Sequence, residues 1–279
     1  MPTFTAPDGT ELAYHLVGEG EPLLCLPGGA MRASAYLGDL GGLAAHRRLI
    51  LLDLRGTGDS AVPADPATYR ADRQVADVEA LRVQLGLEQV DLLAHSAAGD
   101  LALLYAAAHR ERIATLTLIT ARGRALGVDF PLVHRQEAAD LRKSEPWYDG
   151  AREGFDRLWA GTATDADFDA AVPFFYGRWD ATAQAHAALD VAQTNEAASA
   201  AYASEGAFDP PATRAVLAGL EARVLLLAGE LDSGPRPQVS AAMAELFPAA
   251  ELVVQPGAGH FPWLDDPDFF VRTVTTFLG

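Results

Sequence analysis

The stretch LLAHSAAGD, Leu92–Asp100, runs an apolar segment into an alanine-rich one through a single serine. Residues 89–95, QVDLLAH, read as a buried strand, and Leu101, Leu104, Tyr105 and Ala108 follow the i, i+3, i+4, i+7 spacing of an amphipathic helix. A strand that turns directly into a helix would lift the Ser96 hydroxyl above the edge of a sheet, as a nucleophile elbow does. That elbow brings the residues two before and two after the serine close together, so small side chains are required. Here they are Ala94 and Ala98, where glycine is usual, with Gly99 adding room.

Outward from this corner the same alternation continues. Apolar runs stand at PLLCL (22–26), RLILLDL (48–54), IATLTLI (113–119), RVLLLAG (223–229) and ELVVQP (251–256). Their continuous apolarity suits strands covered on both faces, and the segments between them carry helical spacing, as at Val75, Val78, Leu81 and Leu85. Ahead of them PTFTA and ELAYHLV flank PDGT, a hairpin with a tight turn. Two hairpin strands and six runs read as an eight-stranded, mostly parallel, doubly wound sheet. Asp266 followed by Pro267 announces the last helix, as N-cap and first helical residue.

Between the strands ending near Thr120 and starting near Arg223 lie roughly a hundred residues with no strand pattern, too many for a bare connection. They read as a helical insertion over 123–208, leaving 1–122 and 209–279 as the core domain. Trp147, Trp159, Trp179, Phe155, Phe174, Phe175 and Tyr176 lie in it. Most are expected in the insertion's own core, with Trp147, Phe174, Phe175 and Trp179 as candidates to line a substrate pocket.

Composition narrows the function. With 38 acidic against 21 basic residues the formal charge is -17, and no Lys/Arg run exceeds two residues, so neither nucleic acid nor an anionic membrane surface is an expected partner. No apolar stretch approaches the ~18 residues of a membrane span, and the N-terminus lacks the pattern of a signal peptide; the expectation is a soluble, cytoplasmic protein. The single cysteine, Cys25, sits in a strand pattern, where burial is expected. GTGDSA (56–61) fits a dinucleotide-binding fingerprint, but Pro63 and Pro66 follow where a helix would have to open. No cofactor is expected, Asp53 and Arg55 read as a local ion pair, and no metal motif is present.

A serine nucleophile needs a base, and the base an orienting acid, in the chain order serine, acid, histidine. Among seven histidines only His260 follows the last strand pattern, in the glycine-rich QPGAGHFPWLDDP. After the preceding strand, AGELDSGPRP offers Glu230 and Asp232, and Asp232 is the better placed because it lies beyond the strand end. An oxyanion hole would draw on the amide of Ala97 and on that of Gly29 in LPGGAM.

The elbow AHSAAG, the loop LPGGAM, the segment LLDLRGTGDS, the acid loop AGELD and the histidine loop, in that order, resemble the α/β-hydrolase superfamily over nearly the whole chain. The resemblance implies that the insertion is a helical cap and that Ser96, Asp232 and His260 form a triad. DLRGTGDS and the double glycine resemble the proline iminopeptidase branch, although that branch has histidine at the position of Pro27 and tryptophan at that of Ala97. Its cap glutamates, which hold a free amino group, would be sought among Glu137, Glu145, Glu153, Glu196 and Glu205. Serine at position 96 sets the chain apart from members with an aspartate nucleophile. The resulting expectation is a serine hydrolase for an ester, lactone, thioester or short amide of a small hydrophobic substrate. The alternatives are an iminopeptidase-like aminopeptidase and a non-hydrolytic ligand-binding member of the fold. Oligomeric state is not readable.

Overall fold

The computed structural model describes residues 1–279. One sheet of eight strands organises it, built from β1 (Thr3–Thr5), β2 (Glu11–Val17), β3 (Pro22–Leu26), β4 (Arg48–Leu52), β5 (Val90–His95), β6 (Ile113–Ile119), β7 (Arg223–Gly229) and β8 (Ala250–Gln255). The spatial order is β1-β2-β4-β3-β5-β6-β7-β8, antiparallel where β2 meets β1 and β4, and parallel from β4 to β8. Every apolar run of the sequence is a strand.

The runs are unbroken because both faces of the sheet are covered. Along β3, Leu24 and Leu26 belong to one apolar core, while Leu23 and Cys25 belong to the core on the opposite face. Residues Ile50 and Leu52 of β4 likewise face away from Leu49 and Leu51. Helices α1 (Ala71–Gln84) and α2 (Ala98–Ala108) cover the first face with Val78, Leu81, Leu101 and Tyr105. Each such leucine, fully buried, contributes roughly 2 kcal/mol of apolar transfer free energy.

Between β6 and β7 the chain forms only helices: α3 (Leu132–Asp140), α4 (Tyr148–Ala160), α5 (Asp165–Ala171), α6 (Ala181–Ala187), α7 (Asp190–Gln193), α8 (Glu196–Tyr202) and α9 (Pro210–Leu217). Part of this segment has its own small core, in which Phe155 and Phe174 pack with Ala139, Ala151 and Ala171. After β7 come α10 (Pro237–Ala244), α11 (Pro262–Asp265) and α12 (Pro267–Leu278). The last begins as its sequence predicts, with the Asp266 carboxylate accepting from the Phe269 N–H at 3.0 Å. Its Phe270 and Val274 fill the core on the second face.

The expected Asp53–Arg55 pair does not form. Arg55 reaches instead to α1, where its Nε and Nη2 each donate to Asp77 at 2.6 Å, and it also bonds Asp8. Asp53 turns the other way and accepts from the amides of Ser34 and Asp59 and from His15. Each side chain is thus satisfied by partners from other segments, the Asp53 carboxylate by backbone amides and His15, and the Arg55 guanidinium by Asp77 and Asp8, which leaves neither free for the other. Although His15, Asp53 and Asp59 cluster, these bonds use the Asp53 oxygens. No helix is long and apolar enough to cross a membrane.

Candidate active site

Ser96 stands at the junction of β5 and α2 with a φ of 53°, in the left-handed region that is strained for any residue with a Cβ. Backbone bonds hold it there: its N–H donates to Ile119 O at 3.0 Å, and its carbonyl accepts from the N–H groups of Gly99 and Arg122 at 3.0 and 2.9 Å. Ala94 and Ala98 are buried and tolerated. Close approach is instead concentrated at two glycines. A methyl group at Gly28 would strike the His95 carbonyl and the Ser96 Cβ, and one at Gly99 would lie 2.7 Å from the Ala121 Cβ. The tight glycines of this elbow are therefore 28 and 99.

His260 follows β8 in a loop fixed from both directions. Its N–H donates to Phe175 O at 2.7 Å, and its carbonyl accepts from His95 Nε2 at 2.9 Å and Thr120 Oγ1 at 3.0 Å. Its ring bridges the two other candidates, with Nε2 2.8 Å from Ser96 Oγ and Nδ1 2.9 Å from Asp232 Oδ2. Asp232 is fully buried, and its second oxygen accepts from the Gly234 N–H at 2.9 Å. A carboxylate only accepts, so Nδ1 carries the proton and Nε2 is free to receive one from the serine hydroxyl. Glu230, the other acid considered, is exposed and accepts from the Gly257 N–H.

A second polar chain runs beside this one, and its members lie apart in the sequence. The Gly28 N–H donates to Tyr36 Oη at 2.6 Å, and Tyr36 Oη lies 2.6 Å from His95 Nδ1. Because His95 Nε2 must donate to the His260 carbonyl, its Nδ1 is the acceptor and the tyrosine hydroxyl the donor. Burial, chiefly, and then the neighbouring His260 hold the His95 ring neutral, with its pKa well below the ordinary histidine range. The chain thus ties the Gly28 loop to the histidine loop behind Ser96. With the Gly28 amide taken, those of Gly29 and Ala97 have no acceptor in the protein, and both residues line the cavity above the serine. Only the histidine next to the serine in AHS hints at this network in the sequence.

The cavity, about 460 Å³, has Ser96, Gly29, Ala97 and His260 on its wall. Across it stand Trp159, Phe168, Val172, Phe175 and Tyr176 from the helical segment. Of the four aromatic residues expected to line a pocket, Phe175 alone does. Trp147 packs edge-on against Phe174 in the small helical core, centroids 4.8 Å apart, and Trp179 packs against Tyr176. Sequence spacing does not reveal which side of these short helices meets the sheet. It also missed three cationic wall residues, Arg32, Arg122 and Arg124. None of the five glutamates named as possible amine ligands lines the cavity.

A parallel sheet bearing a serine elbow and a histidine loop at one edge, under a helical segment, defines a hydrolase-type α/β architecture. The chain belongs to the alpha/beta hydrolase fold family, whose model matches residues 21–267. A proline iminopeptidase from Lactobacillus helveticus is 38% identical over 117 residues, a stretch covering 39% of this chain and 40% of that enzyme. Among solved structures, an esterase from Rhodococcus sp. ECU1013 is 27% identical with a TM-score of 0.75, covering 99% of this chain and 97% of that one. A proline iminopeptidase of Mycobacterium smegmatis shares the fold, with a TM-score of 0.76 at 24% identity and the same coverage.

Proposed function

We propose that this protein is a serine hydrolase that cleaves an ester, lactone, thioester or short amide of a small, partly apolar substrate. The observation that carries the reading is the unbroken line Asp232–His260–Ser96, at 2.9 and 2.8 Å, opening into the cavity. In the proposed reaction Ser96 Oγ attacks the substrate carbonyl while His260 Nε2 takes its proton. Asp232 holds the ring in the required tautomer and stabilises its charged form. The free amides of Gly29 and Ala97 receive the negative oxygen of the tetrahedral intermediate. His260 then protonates the leaving group, and the acyl group on Ser96 is released by water that gives its proton to the same nitrogen.

Esterases and proline iminopeptidases are both among the similar proteins, and the charges on the cavity wall favour the esterase reading. An iminopeptidase must hold a protonated amine next to the scissile bond, whereas the wall carries three arginines against two aspartates. Of the two aspartates on the wall, Asp190 is paired with Arg32 at 2.8 Å, which leaves Asp169 as the one carboxylate there that could hold an amine. The deciding experiment is treatment with a fluorophosphonate and mass mapping of the product, alongside His260→Ala. Modification of Ser96 that depends on His260 is expected. A folded protein that stays unmodified would refute the nucleophile, and faster turnover of a prolyl anilide than of a matched aryl ester would favour the aminopeptidase.

A further inference from the structure

Arg122 follows β6 and lines the same cavity as Ser96, to which its backbone is bonded. Its guanidinium has no hydrogen bond and no carboxylate within 4 Å, and its one contact of note is the face of Phe130, 4.7 Å away. Arg135 also lies over the Phe130 ring, at 4.8 Å, and over Trp159, at 3.7 Å, likewise without an acidic partner. Every other arginine that is buried or half-buried has a carboxylate or carbonyl partner. The arginines that lack one, such as Arg48, Arg214 and Arg272, lie in solvent.

In a chain of net charge -17 carboxylates are plentiful, so two unpaired guanidiniums beside one cavity are not a shortage of partners. Within the cavity wall Arg32 is neutralised by Asp190 and Arg124 by Asp100. Arg122 is left as the unpaired cation of that wall. Burial, followed by the like charge of Arg124, lowers its pKa to about 10, while Asp100 and Asp129 pull weakly the other way. A half-buried guanidinium costs desolvation free energy that a bidentate anion recovers.

We infer that the cavity takes a substrate carrying a carboxylate in addition to its scissile acyl bond, and that Arg122 binds this carboxylate. The inference rests on the hydrolase reading only for the bond that is cleaved. A single planar fork matches a carboxylate, whereas a dianionic phosphate would bring a second negative charge for which the wall holds no further unpaired cation. Apolar wall residues such as Val172 and Phe175 would meet the carbon chain between the two ends.

The test compares p-nitrophenyl hydrogen adipate with p-nitrophenyl hexanoate, which have equal acyl length and differ in the terminal charge. One charge-assisted bidentate contact predicts a preference of about 10-fold or more in kcat/KM for the acid ester. That preference should vanish in Arg122→Gln, survive in part in Arg122→Lys, and be unchanged in Arg272→Gln. A wild-type ratio of one or less, or a ratio retained in Arg122→Gln, overturns the inference. Calorimetry with adipate and its dimethyl ester on wild-type protein reads the same site without turnover. Binding of the diacid alone supports the inference, equal or absent binding of both overturns it, and this holds if Arg122→Gln fails to fold. Adipate binding by a protein whose Ser96 resists the fluorophosphonate would sink the hydrolase reading and leave the carboxylate site standing.

Discussion

Ser96 illustrates how a residue is held against its own preference. A φ of 53° costs a residue with a Cβ about 1–2 kcal/mol, and the bonds to Ile119, Gly99 and Arg122 supply the constraint. Replacing Ser96 with alanine removes the hydroxyl but keeps the strain, while glycine removes both. The expectation is that neither variant turns over substrate and that Ser96→Gly is more stable than Ser96→Ala by about 1 kcal/mol in urea unfolding. Equal midpoints would show that the elbow stores no such strain. Behind it, Tyr36 is buried and is the acceptor for the Gly28 amide. Tyr36→Phe strands that donor and frees the His95 ring, so a loss of about 1–3 kcal/mol in stability is expected together with a fall in kcat that exceeds any rise in KM. Wild-type kcat in Tyr36→Phe would show that the second chain is structural alone. At this scale the hydrogen-bonded line Asp232–His260–Ser96 was legible, because serine, acid and histidine follow strand patterns in a fixed order. Tyr36 was not, because nothing local in SAYL shows that its hydroxyl meets a histidine 59 residues away.

Among the elements, the loops are pinned by charges whose partners lie in other segments. Arg55, after β4, is buried against Asp77 of α1 and also reaches Asp8 in the β1–β2 turn. Removing Asp77 leaves the buried Arg55 guanidinium with only the exposed Asp8 as counter-charge. Asp77→Ala should therefore cost about 3–5 kcal/mol, read as a lowered denaturation midpoint, more than Asp77→Ala combined with Arg55→Met. A double variant no better than the single one would contradict this account. Strands were legible because burial on both faces forces continuous apolar runs, and the final helix because Asp266-Pro267 is a local signal. The insertion was legible as helical but not as a surface. With helices of four to thirteen residues, the choice of face is made by what each one packs against. This is why Trp147 and Phe174 went to a helical core while Trp159 and Phe168 reached the cavity.

For the molecule as a whole, acid should act through histidines that folding keeps neutral. His186 lies between Tyr176 Oη at 2.8 Å and the Tyr36 carbonyl at 3.2 Å, and burial, followed by nearby Arg32, lowers its pKa to about 4. His95 shifts in the same direction. The unfolded chain binds these protons first, so stability is full near neutrality and falls as pH drops from about 6.5 towards 4. The unfolding midpoint should thus decline over that window, and His186→Gln should decline less steeply. Parallel curves for the two proteins would exclude His186 as a source.

The sequence by itself determined the order of strands and helices, the elbow and the chain order of its partners, since each depends on residues near one another or on the period of apolarity. Tertiary structure alone decided that Gly28 and Gly99 meet the tight approaches, that His95 and Tyr36 brace the histidine loop, and that Arg122 faces the cavity without a carboxylate. These depend on which distant surfaces close on each other, and packing, not local preference, selects those contacts.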